Sequence, residues 1–186
     1  MTRSLRPIQT LLTSVPITYT SGEQVEVYRF SLPVTIGVPL IALFLQAFLP
    51  RRLTFFSYFD LPLLVTIFFA MARRNPIAGL LTGAAIGLTQ DCLTAGPIGV
   101  YGIAKTVVGF AASSLGAKID AENAATRALL TLAFYLLHGV VYFGVARWLL
   151  SLSQRFSWSH GVVAGVANAV LGVGLYFLLD KLKQRT

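Results

Sequence analysis

A chain of 186 residues that is 55% hydrophobic and only 12% charged, with a mean hydropathy of +0.72, is not a soluble globular domain, where about a quarter of residues carry charge. The formal net charge of +8 is a weak argument for nucleic-acid binding, because most Lys and Arg sit in short loops and tails between apolar blocks, where they set orientation or meet anionic lipid head groups. A single cysteine, Cys92, excludes an internal disulfide and reads as a small apolar filler, and two histidines, His138 and His160, leave no group of ligands at metal spacing.

Residues 1–29 differ in kind from the rest. Leu5, Ile8, Leu12 and Val15 recur at helical spacing beside Arg3 and Arg6, which suits a short helix lying on the membrane surface, with a frayed tail as the equal alternative. Ile17-Thr18-Tyr19-Thr20 and Val25-Glu26-Val27-Tyr28 flank Ser21-Gly22-Glu23-Gln24, predicting a small hairpin that needs the membrane domain or a partner to lean on. The first long apolar run begins near Phe30 with no small-residue cleavage site after a short core, so the first span is expected to be an uncleaved anchor.

Six apolar segments come next, at about Phe30 to Leu49, Phe55 to Ala72, Pro76 to Gln90, Ile98 to Leu115, Ala124 to Ala146 and His160 to Leu179. Most reach the roughly 17 to 25 residues that a spanning helix needs. The expected fold is an all-α integral membrane protein, a compact bundle of six transmembrane helices over residues 30–180, followed by a basic cytoplasmic tail at 181–186. The third segment is short unless it runs past Asp91 to Leu93, and Thr94-Ala95-Gly96-Pro97 after it is a turn signal. Segments three and four are thus a tight helical hairpin or two broken half-helices, and their near-sufficient lengths favour the hairpin. Arg3, Arg6, Arg29, Arg73, Arg74, Lys118, Arg127, Lys181, Lys183 and Arg185 fall on one side of this topology, and Arg51, Arg52, Arg147 and Arg155 on the other. The positive-inside rule then places both termini in the cytoplasm.

The most informative pattern is Gly79, Gly83, Gly87 and Asp91 at four-residue intervals, followed by Gly96-Pro97-Ile98-Gly99 and a segment carrying Lys105. The three glycines share one helical face, which lets another backbone approach closely, and an acid stands at the end of that face. Small residues recur at Gly102, Thr106, Gly109, Ser113 and Gly116, and again at Gly161, Gly165, Asn168 and Gly172. Packing within the bundle is the favoured use of these faces over a surface reserved for another protein. Asp91 and Lys105 are the most expensive residues, since a charge at the bilayer centre costs about 2.5 to 3.5 kcal/mol on insertion scales. They can pair across the turn, or Asp91 can sit at the head-group boundary. Arg127, Thr131, Tyr135, His138 and Tyr142 form a polar stripe on the fifth segment, read first as interhelical hydrogen bonding and second as a cavity lining.

Asn75-Pro76-Ile77-Ala78-Gly79, with Gly83, Gly87, Asp91, Pro97, Gly99 and Gly109, resembles the central pattern of the bacterial rod shape-determining MreD family. The likeness covers about 45 residues well and the rest by hydropathy; residues 1–29 are longer than the family leads one to expect. It implies a non-enzymatic inner-membrane component of the cell-elongation machinery with no cofactor. The implied partner is the bitopic protein MreC, in the neighbourhood of actin-like MreB, RodA and penicillin-binding-protein synthases. It also implies a fold similar to the substrate-binding subunits of energy-coupling-factor vitamin transporters. Gly79, Gly83, Gly87, Asp91, Gly96, Pro97 and Gly99 are the motif positions, with Gly102 and Gly109 on the facing segment, and their implied work is to shape the bundle and a docking surface.

The competing function is a small-molecule binding subunit of a transporter, with Asp91, Lys105, Tyr135, His138 and Asn168 lining a pocket. It calls for a sealed polar cavity of about 300 Å³ or more, whereas a scaffold calls for a packed core and an exposed small-residue groove. For an enzyme the sequence offers little: Glu23, Glu26, Asp120 and Glu122 lie in solvated segments, and Gly79 to Gly87 lacks the Gly-Lys-Ser/Thr of a phosphate loop.

Overall fold

The computed structural model describes residues 30–94, 97–119, 123–149, 151 and 158–182. The surface helix and hairpin expected in residues 1–29, the motif residue Gly96 and the tail beyond Leu182 lie outside the described residues. Six helices run through the described chain, with no strand among them: α1 (Leu32–Arg52), α2 (Leu61–Arg73), α3 (Pro76–Thr94), α4 (Val100–Gly116), α5 (Ala124–Gly144) and α6 (Trp158–Asp180). A 3₁₀ helix at Thr54–Tyr58 precedes α2, and a π-helical turn at Val145–Leu149 extends α5.

Local chemistry explains most of the boundaries. Asn75 accepts hydrogen bonds at Oδ1 from the backbone N–H groups of Ile77 and Ala78, and Pro76 supplies a first helical residue that has no N–H to satisfy, so α3 starts there. Asn123 caps α5 in the same way through Ala125 N–H at 2.9 Å. Arg51 and Arg52 occupy the last turn of α1, where cations complement the helix dipole, and Arg51 also donates to the Ala47 carbonyl at 2.7 Å. Arg74 closes α2 in the left-handed region, with φ 53°.

Successive helices are antiparallel. Arg73 at the end of α2 donates to Thr35 at the start of α1, Gly79 on α3 meets Gly109 on α4, Tyr101 on α4 lies beside Tyr142 on α5, and Arg127 on α5 reaches Asp180 on α6. The α1–α2, α3–α4 and α5–α6 connections therefore share one face of the bundle, and the α2–α3 and α4–α5 connections share the other.

Four helices are long and apolar enough to cross a membrane: α1, α3, α5 with its π-helical extension, and α6. The second expected segment is interrupted. It enters as the 3₁₀ helix, breaks at Phe59–Asp60, and resumes as α2, whose 13 residues measure only about 20 Å at 1.5 Å per residue. The interruption is Asp60, whose carboxylate accepts from Leu63 N–H at 2.9 Å and starts a new helix instead of lying within a continuous one. A short helix is tolerated because α2 is buried on every side from Pro62 to Ala72 and meets protein where a peripheral helix meets lipid. Leu63, Leu64, Ile67, Phe68 and Phe69 form the centre of the core with Val108, Phe134, Tyr176 and Leu179. Because lipid is as apolar as these side chains, the core holds by shape and close contact.

Candidate functional site

The glycine ladder is the tightest seam in the molecule. A Cβ added at Gly79 would strike the Gly109 carbonyl and the Ser113 side chain, one at Gly83 the backbone of Lys105, and one at Gly87 the backbone of Tyr101. Gly109 returns the contact on Gly79, and Gly102 faces Leu88 and the Asp91 carboxylate. The small-residue faces of α3 and α4 are thus spent on each other, in an antiparallel helical hairpin, and not on an external surface.

Asp91 completes the hairpin. It is 1% exposed and accepts from the backbone N–H groups of Gly99 at 2.9 Å, Tyr101 at 3.1 Å and Gly102 at 3.0 Å. These N–H groups of the N-cap and first turn of α4 have no carbonyl partner within the helix, and a negative charge also suits the positive end of the helix dipole. Gly99 holds φ at 106° to bring the chain around the carboxylate, a conformation that favours glycine. Pro97, just before it, is exposed.

Lys105 takes a different partner from the one its spacing to Asp91 allows. Its ammonium donates to both carboxylate oxygens of Asp60, at 2.9 and 2.7 Å, with the lysine side chain 0% and the aspartate side chain 14% exposed. Asp60 wins because it faces α4 across the core, while Asp91 is turned end-on into the N-terminus of α4. Asp60 is the only charged residue between Phe55 and Ala72, so it carries the same signal of a costly charge that marks Asp91 and Lys105, a signal missed when the block is read as one continuous span. A second signal is Asp60-Leu61-Pro62, an acceptor followed by an early proline, which is a helix start and not a helix interior.

The break around Asp60 is held by two amides. Gln46 of α1 donates to the Phe59 carbonyl at 2.9 Å and accepts from Leu61 N–H at 3.0 Å. Asn168 of α6 accepts from Asp60 N–H at 2.9 Å and donates to the Tyr58 and Ala164 carbonyls at 2.7 and 2.8 Å. Asn168 lies ten residues past the start of α6, about 15 Å deep at 1.5 Å per residue, so this irregular backbone lies inside the bundle and is satisfied there by protein.

The polar stripe on α5 divides in two. Arg127 pairs with Asp180 at 2.5 Å, and Thr131 contacts the Tyr176 hydroxyl at 3.2 Å, which makes this half an α5–α6 seam. Tyr135, His138 and Tyr142 instead line a cleft of about 270 Å³, together with Gln46, Tyr58, Phe59, Asp60, Gln90 and Tyr101. The cleft is open, not sealed, and every lining element approaches it from the face that carries the α1–α2, α3–α4 and α5–α6 connections. Of the intramembrane polar residues expected to share a pocket, the structure brings Tyr135 and His138 to the cleft wall. Lys105 stands behind Asp60, Asn168 behind the break, and Asp91 within the hairpin. Cys92 is exposed, and no group of three metal-ligating side chains occurs among the described residues.

A second hollow, about 330 Å³, lies between α1 and α3 and is apolar. Pro39, Leu40 and Leu43 form one wall and Thr82, Ala85, Ile86 and Thr89 the other. A neighbouring hollow continues from Leu40 and Leu43 along α1 to Phe44, Phe48 and Leu93.

No curated protein and no solved structure matches the chain. The family model described as rod shape-determining protein MreD matches residues 28–186, which includes the whole helical bundle, the glycine hairpin and the buried Asp60–Lys105 pair. The chain belongs to the MreD family, the rod shape-determining membrane proteins.

Proposed function

We propose that this protein is a non-enzymatic scaffold of the rod complex that binds an MreC-like bitopic partner and helps couple the cytoskeleton to peptidoglycan synthesis. The observation that carries the reading is the α1–α3 groove. The α3–α4 glycine faces are consumed within the bundle, yet Thr82, Ala85 and Thr89 form a second small-residue row on the outer side of α3, beside an α1 whose Ile36, Leu40 and Phe44 are exposed. A single apolar helix gains close contact there, which is the main source of affinity between helices in lipid. Both termini lie in the cytoplasm in this proposal, with the MreB, RodA and penicillin-binding-protein assembly as neighbours. Kinship with the substrate-binding subunits of energy-coupling-factor transporters stays a proposal about fold, supported by the six-helix bundle.

The test is a mild-detergent purification of the tagged full chain from its native membrane with mass spectrometry of what remains bound. An MreC-like bitopic protein recovered with wild type and lost with Ala85→Trp supports the reading. Recovery of an ATPase module in its place supports a transport subunit. Orientation is read separately: Arg52→Cys and Lys118→Cys should be labelled from opposite sides, Arg52→Cys from outside. Labelling of both from one side sinks the topology.

A further inference from the structure

The 270 Å³ cleft between the break and α5 contains groups that no packing role explains. Gln90 Oε1 and His138 Nε2 are buried and have no hydrogen-bond partner among the described residues, although their side chains line the cleft. A buried polar atom left unpaired is costly, and such atoms in a native fold call for a partner that arrives from outside. Both residues are nine-tenths or more buried, at 3% and 7% exposure.

The wall selects the chemistry of that partner. Tyr101, His138 and Tyr142 present rings in mutual contact, with centroids 4.9 to 6.2 Å apart. Asp60 turns its partly exposed carboxylate to the cleft, while the lysine that balances it is sealed behind. No Lys or Arg is among the described lining residues. The first-turn N–H groups of α2 and α4 that would hold an anion are already occupied in part by Asp60 and Asp91. The carboxylate, the aromatic faces, the unpaired Gln90 Oε1 and a His138 Nε2 that accepts when the ring proton is on Nδ1 together suit a hydrogen-bond-donating cation, which ring faces attract through their quadrupole. We infer that the cleft formed by Asp60, Gln90, Tyr101, His138 and Tyr142 binds a small primary ammonium group, carried by a phospholipid ethanolamine head group or by a free amine.

Gly139 gives a clean way to close the site, because it lines the cleft and a Cβ added there meets nothing within 4 Å. Full-length protein in detergent is mixed with dihexanoyl phosphatidylethanolamine, dihexanoyl phosphatidylglycerol or ethanolamine, and the thermal midpoint and native mass are recorded. The expected result is a saturable rise in midpoint and a one-to-one adduct with the ethanolamine lipid, and none with the glycerol lipid. Displacement of that adduct by ethanolamine assigns the site to the free amine, and retention of lipid alone assigns it to the head group. Gly139→Leu should abolish binding, and Gln90→Leu should weaken it at least tenfold while leaving the unliganded midpoint at or above wild type. An equal response to the glycerol lipid, no response to either ammonium probe, or wild-type binding by folded Gly139→Leu and Gln90→Leu overturns the inference.

Discussion

Along the α3–α4 hairpin two helices approach until the Cβ position of Gly79 touches the Gly109 carbonyl, whereas at the break before α2 the amides of Gln46 and Asn168 bond the interrupted backbone. The first region relies on backbone contact along its seam, with Ser113 near one end and the Asp91 carboxylate closing the other. The second is built from polar groups and relies on each being paired. A bundle in lipid uses both because neither region gains from expelling water: stability comes from close approach where backbones are smooth and from complete hydrogen bonding where they are not. The two regions meet at Lys105, whose backbone packs on Gly83 and whose ammonium bonds Asp60.

That contrast can be broken from either side. The largest effect is expected from Lys105→Met, which leaves the partly exposed Asp60 carboxylate without its cation and should cost about 3 kcal/mol, the low end for breaking a buried pair. The double variant Asp60→Asn/Lys105→Met should recover much of the loss in detergent unfolding, and strict additivity would show that the pair is not coupled. Gly83→Leu should come next, at up to about 3 kcal/mol, because overpacking here pushes on backbone that cannot swing aside; an unchanged midpoint would remove the close-packing account.

Asn168→Leu is near isosteric but strips partners from the Asp60 N–H and the Tyr58 carbonyl, so a loss of about 2 kcal/mol is expected. Increased protease access at the connection between α1 and α2 should accompany it. The smallest effect should be Asp91→Asn, about 1 kcal/mol as a weakened helix cap. Its coupling to Lys105→Met should be smaller than that of Asp60, and equal coupling would return Asp91 to the role of ion-pair partner.

The hairpin is legible in the sequence because its information is periodic. Gly79, Gly83 and Gly87 repeat within one helix, and a repeat of four places residues on one face whatever surrounds them. Asp91 is legible as a costly residue, though not as a cap, because its bonds to Gly99, Tyr101 and Gly102 depend on how the turn folds back. Asp60 is legible as a lone charge in an apolar run, but its partners are not: the sequence separation between Lys105 and Asp60 is 45, and between Asn168 and Asp60 it is 108. The division of the α5 stripe is equally out of reach. Arg127 and Tyr142 belong to one stripe, yet one end of α5 lies on α6 and the other on Tyr101.

Sequence alone determined the features set by composition and local period: a membrane chain of apolar helices, a glycine hairpin after Asn75-Pro76, and the resemblance that those residues carry. Tertiary structure decided which charges pair, where the second segment breaks, and which polar side chains share a cleft. The physical reason is range. Hydropathy and helical phase are properties of neighbours along the chain, but the partner of a buried charge is whichever group the packing of six helices places within about 3 Å of it.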